Sequence, residues 1–499
     1  MSDSKKVFAN SVEIKYCAIY GNNKSEPFDA TDGVLRFDYF ENIEAPTVFA
    51  SLMIGEESMN NMISDIPLQG GERVEIKFAI TYRPSNEENK TDEYTYQFVV
   101  YKIYSRYITD RFQTYTLGLV SQEALANEMA MIGTVQKGLP SQIVTNLLKD
   151  NLGTKKKVIV DKALNKIKFQ PGKKTPFSII ETLKMKTICE EGNSVVTTRG
   201  VKKGNSNSSS NSKTIEVQSG GIKDIDGHEK KMKGSAGYLF WENKEGYNFR
   251  SMDKLYDVKK NKPYPEIYYQ QNVPIAGVDT SGESSAKDTR YIISHVEFEK
   301  EIDLLDKLRH GAYSSVICYY NFSTGSYEEY AYSLDEQFKE MDHLGPQDGV
   351  PAAQEMFSAY PTRIMSVLLD HETWHDGEEI GSPEKKDGGT KDTAEFPDFQ
   401  KFFTSQSIAR FNSFNNQQLQ IKIPSNLALK VGDIIDIKIM SQSADKNTQG
   451  KEWDTEHSGK YLISKLNHAI VPKKPIAETF LTLIRDVYGD KITKVEIAS

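Results

Sequence analysis

The sequence predicts a mainly β protein with α+β insertions, in which two related β-barrel domains are joined by inserted α/β and loop-rich domains. Three observations support this fold class. Apolar and polar residues alternate with period two in several runs, for example at Leu35, Phe37 and Tyr39. Aromatic residues, which are common in strands, are plentiful, with 26 tyrosines and 23 phenylalanines. The two ends of the chain also carry copies of one β motif.

The repeated motif is the strongest of these observations. Residues 71–78 read GERVEIKF and residues 432–439 read GDIIDIKI, so glycine, acid, β-branched residue, acid, isoleucine and lysine follow in the same order. The strands that come next also correspond: FVVYKIY at 98–104 with YLISKL at 461–466, and TYTLGLVS at 114–121 with TFLTLIRD at 479–486. Three chains that each carry one barrel twice would hold six similar units, which matches a threefold assembly to a sixfold tube.

The predicted elements follow in a definite order along the chain. Residues 1–125 form the first barrel, because short alternating strands succeed one another there. Residues 126–235 form an α/β insert with three helices and a flexible loop rich in serine and asparagine at 200–220. The remaining segments are 236–288, an aromatic hairpin and a linker; 289–398, strands of the second barrel plus a long loop-rich insertion; and 399–499, the second barrel.

The aromatic hairpin is predicted from a short run of residues. Phe240 and Trp241 lie in one apolar strand, a polar turn ends at Gly246, and Tyr247 and Phe249 lie in the next strand. We expect these rings to pack in a core.

Composition excludes several classes of protein. A net charge of −8 argues against a general nucleic-acid binder, which needs a basic surface. Cys17, Cys189 and Cys318 are widely spaced in apolar runs and are predicted to be buried free thiols, which suits folding in a reducing cytoplasm. The sequence contains no apolar run of signal-peptide or membrane-span length.

One motif carries a possible chemistry. His371-Glu372-Thr373-Trp374-His375 fits the HExxH signature, in which two histidines on one helical face bind zinc and the glutamate acts as general base. Asp376-Gly377 follows at once and argues against a continuing helix. An exposed turn with incidental histidines and a zinc-dependent tail-associated peptidase or cell-wall hydrolase therefore both stay open.

No other enzymatic or cofactor-binding motif is present. The sequence has no P-loop, no dinucleotide-binding glycine fingerprint, no C-x-x-C pair and no G-x-S-x-G elbow. We therefore predict no cofactor, no catalytic residue and a structural role.

Residues 237–253 resemble the central baseplate hub proteins of contractile-tailed bacteriophages, which often carry an aromatic strand and a turn-strand of the type DGYNF(R/K)S followed by an acid. Here the turn reads EGYNFRSMD from Glu245 to Asp253. Residues 67–72, 176–183 and 409–463 are similar to the same family, so the resemblance covers most of the chain. The residues that match the family motifs are Gly71, Phe240, Trp241, Gly246, Tyr247, Phe249, Arg250, Asp253, Gly432 and Asp433.

The resemblance implies a structural protein of the virion. It implies a homotrimer with two tail-tube-like barrels per subunit, whose six barrels form a ring around a channel through which DNA passes. The implied partners are the central spike protein, tail-tube initiator and tape-measure proteins, and baseplate wedge proteins, with assembly in the host cytoplasm. A phage-derived injection machine is an equally compatible setting.

Overall fold

The computed structural model describes residues 12–22, 26–57, 68–82, 90–190, 195–200, 229–270, 291–300, 303–321, 326–338, 340–345, 361–369, 399–440, 453–454, 456–472 and 476–487. The three cysteines are free and buried, as predicted. None of the helices in these ranges is long and apolar enough to cross a membrane.

In the described residues, the first β unit contains seven strands and one 3-10 turn, Thr31–Gly33. The strands are β1 (Val12–Tyr20), β2 (Phe28–Asp29), β3 (Val34–Asn42), β4 (Phe49–Glu57), β5 (Arg73–Tyr82), β6 (Lys90–Ile108) and β7 (Phe112–Val120). Hydrogen bonds connect them in the order β3-β4-β7-β6-β5-β1-β2. The strands alternate between buried apolar and exposed polar residues, which is why one face of this sheet covers a core.

The insert that follows mixes short helices and strands. Its elements are α1 (Gln122–Met129), β8 (Gln136–Gly138), α2 (Pro140–Asn146), a π-helical turn (Leu147–Asn151), β9 (Lys157–Val160), β10 (Ile167–Phe169), α3 (Pro176–Lys184), β11 (Ile188–Cys189), β12 (Val195–Gly200), β13 (Glu229–Lys233), β14 (Ser235–Ala236), β15 (Tyr238–Asn243), β16 (Gly246–Ser251) and α4 (Met252–Tyr256). β15 and β16 form the predicted aromatic hairpin, and β9 pairs in parallel with β16.

The last part of the chain supplies the second β unit and a further sheet. Its elements are β17 (Ile267–Gln270), β18 (Ile292–Ile293), β19 (His295–Lys300), α5 (Leu304–His310), β20 (Ser314–Asn321), β21 (Ser326–Ser333), α6 (Leu334–Phe338), β22 (Arg363–Leu369), α7 (Phe399–Ser413), β23 (Gln417–Pro424), β24 (Ile434–Lys438), β25 (Gly459–Val471) and β26 (Ile476–Arg485).

A single sheet of 14 described strands joins the two β units. In the second unit, β17 pairs with β24, β24 with β25, β25 with β26, β26 with β23, and β23 with β19. The link between the units is an antiparallel pairing of β25 with β3, in which His468 lies opposite Tyr39. One hydrophobic core extends through both units. The predicted mainly β fold with α+β insertions is confirmed.

The sequence repeat is also a repeat of structure. In the first unit the register of β6 against β7 shifts between Val100 and Lys102, and in the second unit the register of β25 against β26 shifts between Ile463 and Lys465. Each shift is a β-bulge, which inserts one extra residue and bends the strand. The two units therefore share a local irregularity that the hydrophobic pattern alone does not specify.

The division of strands between sheets differs from the sequence-based assignment of residues 236–398. β17, which was assigned to the linker, pairs with β24 in the second unit. Of the described residues in 289–398, only β18 and β19 belong to that unit, whereas β20, β21 and β22 form a separate five-stranded sheet with β12 and β13. The alternating pattern identifies a strand but does not specify its neighbour, because pairing over long sequence distances leaves no local signal.

Candidate functional site: the junction of the two β units

The turn of the aromatic hairpin is bonded to the first β unit through two carboxylates. Glu41 of β3 accepts a hydrogen bond from the backbone N–H of Lys244 at 2.6 Å. Glu242 of β15 accepts one from the backbone N–H of Val48 at 3.0 Å. Both carboxylates are buried. These contacts fix the turn of the hairpin at the end of β3 and at the loop that follows it.

The same turn is bonded to the second β unit. Trp241 Nε1 and Asn243 Nδ2 each donate to the backbone carbonyl of Val431 at 3.3 Å. The ammonium of Lys244 donates to the carbonyls of Leu427 and Ala428. The hairpin turn therefore holds the loop before β24 and the strand β3 at the same time, in addition to the direct pairing of β25 with β3.

Gly432 is required where the indole meets the second unit. Its φ is +94°, a conformation that L side chains rarely adopt, and an added Cβ would lie 2.8 Å from Cζ2 of Trp241. The Gly432 N–H donates to Ile463 at 3.0 Å, and the Ile463 N–H donates back to the carbonyl of Asp433 at 2.9 Å.

Gly71 occupies the corresponding place in the first unit. Its φ is +93°, its N–H donates to Val100 at 2.8 Å, and the Val100 N–H donates back to the carbonyl of Glu72 at 2.9 Å. The bulged strand is thus held in the same way in both units. Among the residues that the structure describes, the hairpin packs only against the second copy, at Gly432.

Glu41 accepts hydrogen bonds from three donors at the junction. Its two carboxylate oxygens accept hydrogen bonds from the Lys244 N–H, from the hydroxyl of Tyr39 at 2.7 Å and from the N–H of Val431 at 2.7 Å. Burial raises the pKa of Glu41 to about 7, although its donors act in the opposite direction. Burial likewise lowers the pKa of Lys244 to about 8. A glutamate and a lysine from distant segments therefore meet out of water between the two units.

Relative to a Glu41→Gln variant, the wild-type protein is expected to lose stability as pH rises from about 5 to about 8. The unfolded chain releases the Glu41 proton near pH 4.5 and the folded chain near pH 7. Because the folded state binds more protons between these values, its free energy of unfolding falls as pH increases. Thermal unfolding of both proteins across this range measures the difference. A difference that instead grows with pH would show that the three donors hold the carboxylate ionised.

A second charge network ties the hairpin to the insert. The ammonium of Lys156 lies 2.5 Å from a carboxylate oxygen of Glu242 and 2.7 Å from one of Glu123. Burial lowers the pKa of Lys156, but the two carboxylates outweigh this effect and raise it. The ammonium thus balances two carboxylates where the insert meets the hairpin, which opposes the cost of burying them.

Three of the four predicted aromatic residues lie in the core of the insert. Phe240, Tyr247 and Phe249 are buried together, and the ring of Phe177 lies 5.8 Å from that of Phe240. This placement agrees with the expected core packing. The hairpin is therefore anchored in the insert at its aromatic face and reaches the β units with its turn.

The remaining predicted residues lie below the hairpin, away from the junction. Arg250 Nε is 3.7 Å from a carboxylate oxygen of Asp161, and Asp253 forms an ion pair with Arg410 of α7. Asp433 is beside the junction, where burial raises its pKa to about 6 and its carboxylate accepts from the Lys430 N–H at 3.2 Å. Of the residues that match the family motifs, Trp241, Gly432 and Asp433 meet at the junction, whereas Phe240, Tyr247 and Phe249 meet in the core of the insert.

Sequence reasoning missed Glu41 and Lys244. A signal for Glu41 exists, because Phe37, Tyr39 and Glu41 follow with period two and the first two are core residues. A carboxylate at the next core position implies a buried partner. No comparable signal identifies Lys244, which lies in a polar turn.

The proposed zinc ligands His371 and His375 and the general base Glu372 lie outside the described residues. Within the described ranges, no group of three or more His, Cys, Asp or Glu side chains is placed to hold a metal ion. The peptidase alternative gains no support here.

No protein-family model matches the sequence, and no curated protein sequence matches it at a significant level. Solved structures do match. A tail protein from Neisseria meningitidis is 9% identical with a TM-score of 0.44, covering 94% of this chain and 96% of its own. Prophage tail protein gp18 from Listeria monocytogenes is 9% identical with a TM-score of 0.44, covering 94% of each chain. The E. coli c3393 protein, a component of the type VI secretion system, is 9% identical with a TM-score of 0.36, covering 96% of this chain and 78% of its own.

Proposed function

We propose that the protein is the structural hub subunit of a contractile-tail baseplate, in which three copies form a pseudo-sixfold ring that joins the tail tube to the central spike. The observation that carries this proposal is the pairing of β25 with β3, which joins two copies of one β unit edge to edge. Such a contact is heterologous, because different edges meet, and heterologous contacts build rings when the rotation closes.

The internal repeat identifies the two edges that would close the ring. β6 corresponds to β25, because each carries the bulge. β3 corresponds to β19, because each is the last strand in the order of its own unit and pairs with β4 in the first unit or with β23 in the second. Beyond Val99, the edge of β6 away from β7 has no strand partner among the described residues, and β19 has none on its side away from β23. A second copy that pairs its β19 with this edge of β6 would repeat the contact already present within the chain.

The side chains at these two edges suit such an interface. Tyr107 and Ile108 on β6 are 67% and 62% exposed, and Phe298 on β19 is 40% exposed. Exposed apolar side chains on an unpaired strand edge favour pairing with another strand.

The face of the joined sheet that lies away from the core has features that suit a channel. The hairpin bonds to Glu41 on the core side, so the bulk of each subunit lies on that side and the other face would turn inward in a ring. On that face Arg36 pairs with Asp38 at 2.6 Å, and Lys422 pairs with Glu478 at 2.7 Å. Because these cations are already paired, they would hold passing DNA phosphates weakly. In this proposal DNA only passes through, and the spike, tube-initiator, tape-measure and wedge proteins are the partners.

The native mass of the purified protein tests the ring. We expect three times 56.4 kDa for the wild type and a monomer for Tyr107→Asp or Phe298→Asp, because each places a charge in an apolar strand edge. Leu305→Asp is the matched control, since Leu305 is 65% exposed, about as much as Tyr107, but lies on α5. It should remain a trimer.

Mixing the two variants gives the sharper test. Tyr107→Asp keeps an intact β19 edge and Phe298→Asp keeps an intact β6 edge. One contact between two subunits can therefore form, and assembly then stops. The mixture should therefore contain a dimer that neither variant forms alone. A wild-type monomer, or a mixture that stays monomeric, would contradict the proposed ring.

A further inference from the structure

The two-stranded sheet formed by β8 and β10 has an unfavourable arrangement of charge. Lys137 of β8 lies directly opposite Lys168 of β10, and both side chains are exposed. Within the described part of the chain neither lysine forms an ion pair with a carboxylate. Like charges directly across an antiparallel pair destabilise a sheet. The pair therefore costs stability and has no evident structural purpose.

Two more lysines extend this charge along the turn after β10. Lys173 has a φ of +60°, the left-handed conformation that is rare for non-glycine residues, and both it and Lys174 are exposed. The carbonyl of Lys174 accepts a hydrogen bond from the N–H of Ile132 at 2.9 Å, which holds this turn beside the loop before β8. We call Lys137, Lys168, Lys173 and Lys174 the lysine patch.

Apolar side chains border the lysine patch. Met131 and Val135, on either side of the anchored Ile132, are 65% and 54% exposed. Exposed methionine is common where one protein binds another, because its flexible side chain fits varied apolar surfaces. A cationic patch next to exposed apolar groups offers a partner both charge and apolar contact.

The charge of this region is opposite to that of the whole chain. Residues 122–190 carry twelve lysines, no arginine and six carboxylates, whereas the chain has a net charge of −8. The absence of arginine and the burial of Phe169 and Phe177, the only aromatic residues of this stretch, argue against nucleic acid, which is bound through phosphate-binding arginines and stacked rings. The same absence of exposed rings argues against a membrane surface.

We propose that the lysine patch, together with Met131 and Val135, docks a protein surface that is acidic and has apolar side chains at its border. Charge complementarity of this kind sets the rate and register of association, and the apolar contact adds affinity. The proposal does not depend on the ring.

Lys137→Glu separates this role from a structural one. The variant would place a glutamate opposite Lys168 and should raise the melting temperature, because an opposite-charge pair replaces a repulsive one. It should also weaken binding by at least about tenfold, because a cation is replaced by an anion. Lys149→Glu, the same charge change on the π-helical turn of the insert, is the control and should leave binding within about twofold of the wild type.

The binding measurement uses fluorescence anisotropy of a labelled peptide of about 16 residues, built from Glu-Leu-Glu-Ser repeats, with the full-length protein. Replacing its leucines by serine should lower the affinity of the wild type but not that of Met131→Ser. Equal weakening by Lys137→Glu and Lys149→Glu would overturn the proposal, since it would indicate nonspecific charge attraction. Tighter binding of a DNA duplex or of phosphatidylglycerol vesicles than of the peptide would also overturn it.

Discussion

Gly246→Ala is expected to lower the free energy of unfolding by about 3–5 kcal/mol, one of the two largest effects predicted for this chain. Gly246 has a φ of +141°, and an added Cβ would lie 2.1 Å from the carbonyl oxygen of Lys157. That oxygen belongs to the backbone of β9, which pairs in parallel with β16, so it cannot move aside as a side chain would. The methyl group would separate the two strands and displace the turn that holds both β units.

Gly153→Ala is the matched control for this prediction. Gly153 also has a positive φ, +64°, but no described atom lies within 4 Å of an added Cβ. The Gly153→Ala variant should therefore lose only the free energy needed to hold alanine in the left-handed conformation, about 1–2 kcal/mol. Urea unfolding of the two variants and the wild type measures the difference. Equal losses would show that β9 yields at Gly246 and that only backbone strain matters there.

The hairpin could be predicted from sequence because its signals are local. Aromatic strands flank a polar turn that ends in glycine, and the structure pairs Phe240 with Phe249 across that turn. The repeat could be predicted for a similar reason, since each copy is a contiguous stretch. The positions of β20 and β21 could not, because alternation identifies a strand and not the sheet that it joins.

The candidate site was predicted only in part, for a related reason. Trp241 and Gly432 were identified separately, but their contact joins residues that are far apart in the chain. The bond between Glu41 and Lys244 spans 203 positions. No periodicity encodes such a pair. Only the carboxylate at a core position of β3 indicated that a partner was needed.

A second large loss of stability is expected when the ion cluster under the hairpin is disrupted. Arg410 of α7 pairs with Asp253 of α4 and lies 3.8 Å from Asp486, and all three are buried. His343 Nδ1 is 2.5 Å from the carboxylate of Asp486, and its Nε2 is 2.7 Å from the carbonyl of Phe338. Both of these partners only accept hydrogen bonds, so both ring nitrogens must carry a proton.

His343 is therefore an imidazolium, and the cluster balances two cations with two anions. Burial lowers the pKa of His343, but the Asp486 charge outweighs this effect and raises it. Burial lowers the pKa of Arg410 to about 10, which leaves the guanidinium charged at neutral pH. The cluster connects α4, α7 and the end of β26, so it joins the insert to the second β unit.

Arg410→Met should destabilise the protein by about 3–5 kcal/mol, because it leaves two buried carboxylates with one cation. Asp253→Leu combined with Arg410→Met removes one charge of each sign and leaves Asp486 with His343. The double variant should therefore be more stable than Arg410→Met alone, since breaking a buried pair costs more than replacing it. Urea unfolding of the wild type, both single variants and the double variant gives the coupling energy. Additive losses would mean that lost packing, and not an unbalanced buried charge, determines the cost, and the cluster would then not act as one ionic unit between the insert and the second β unit.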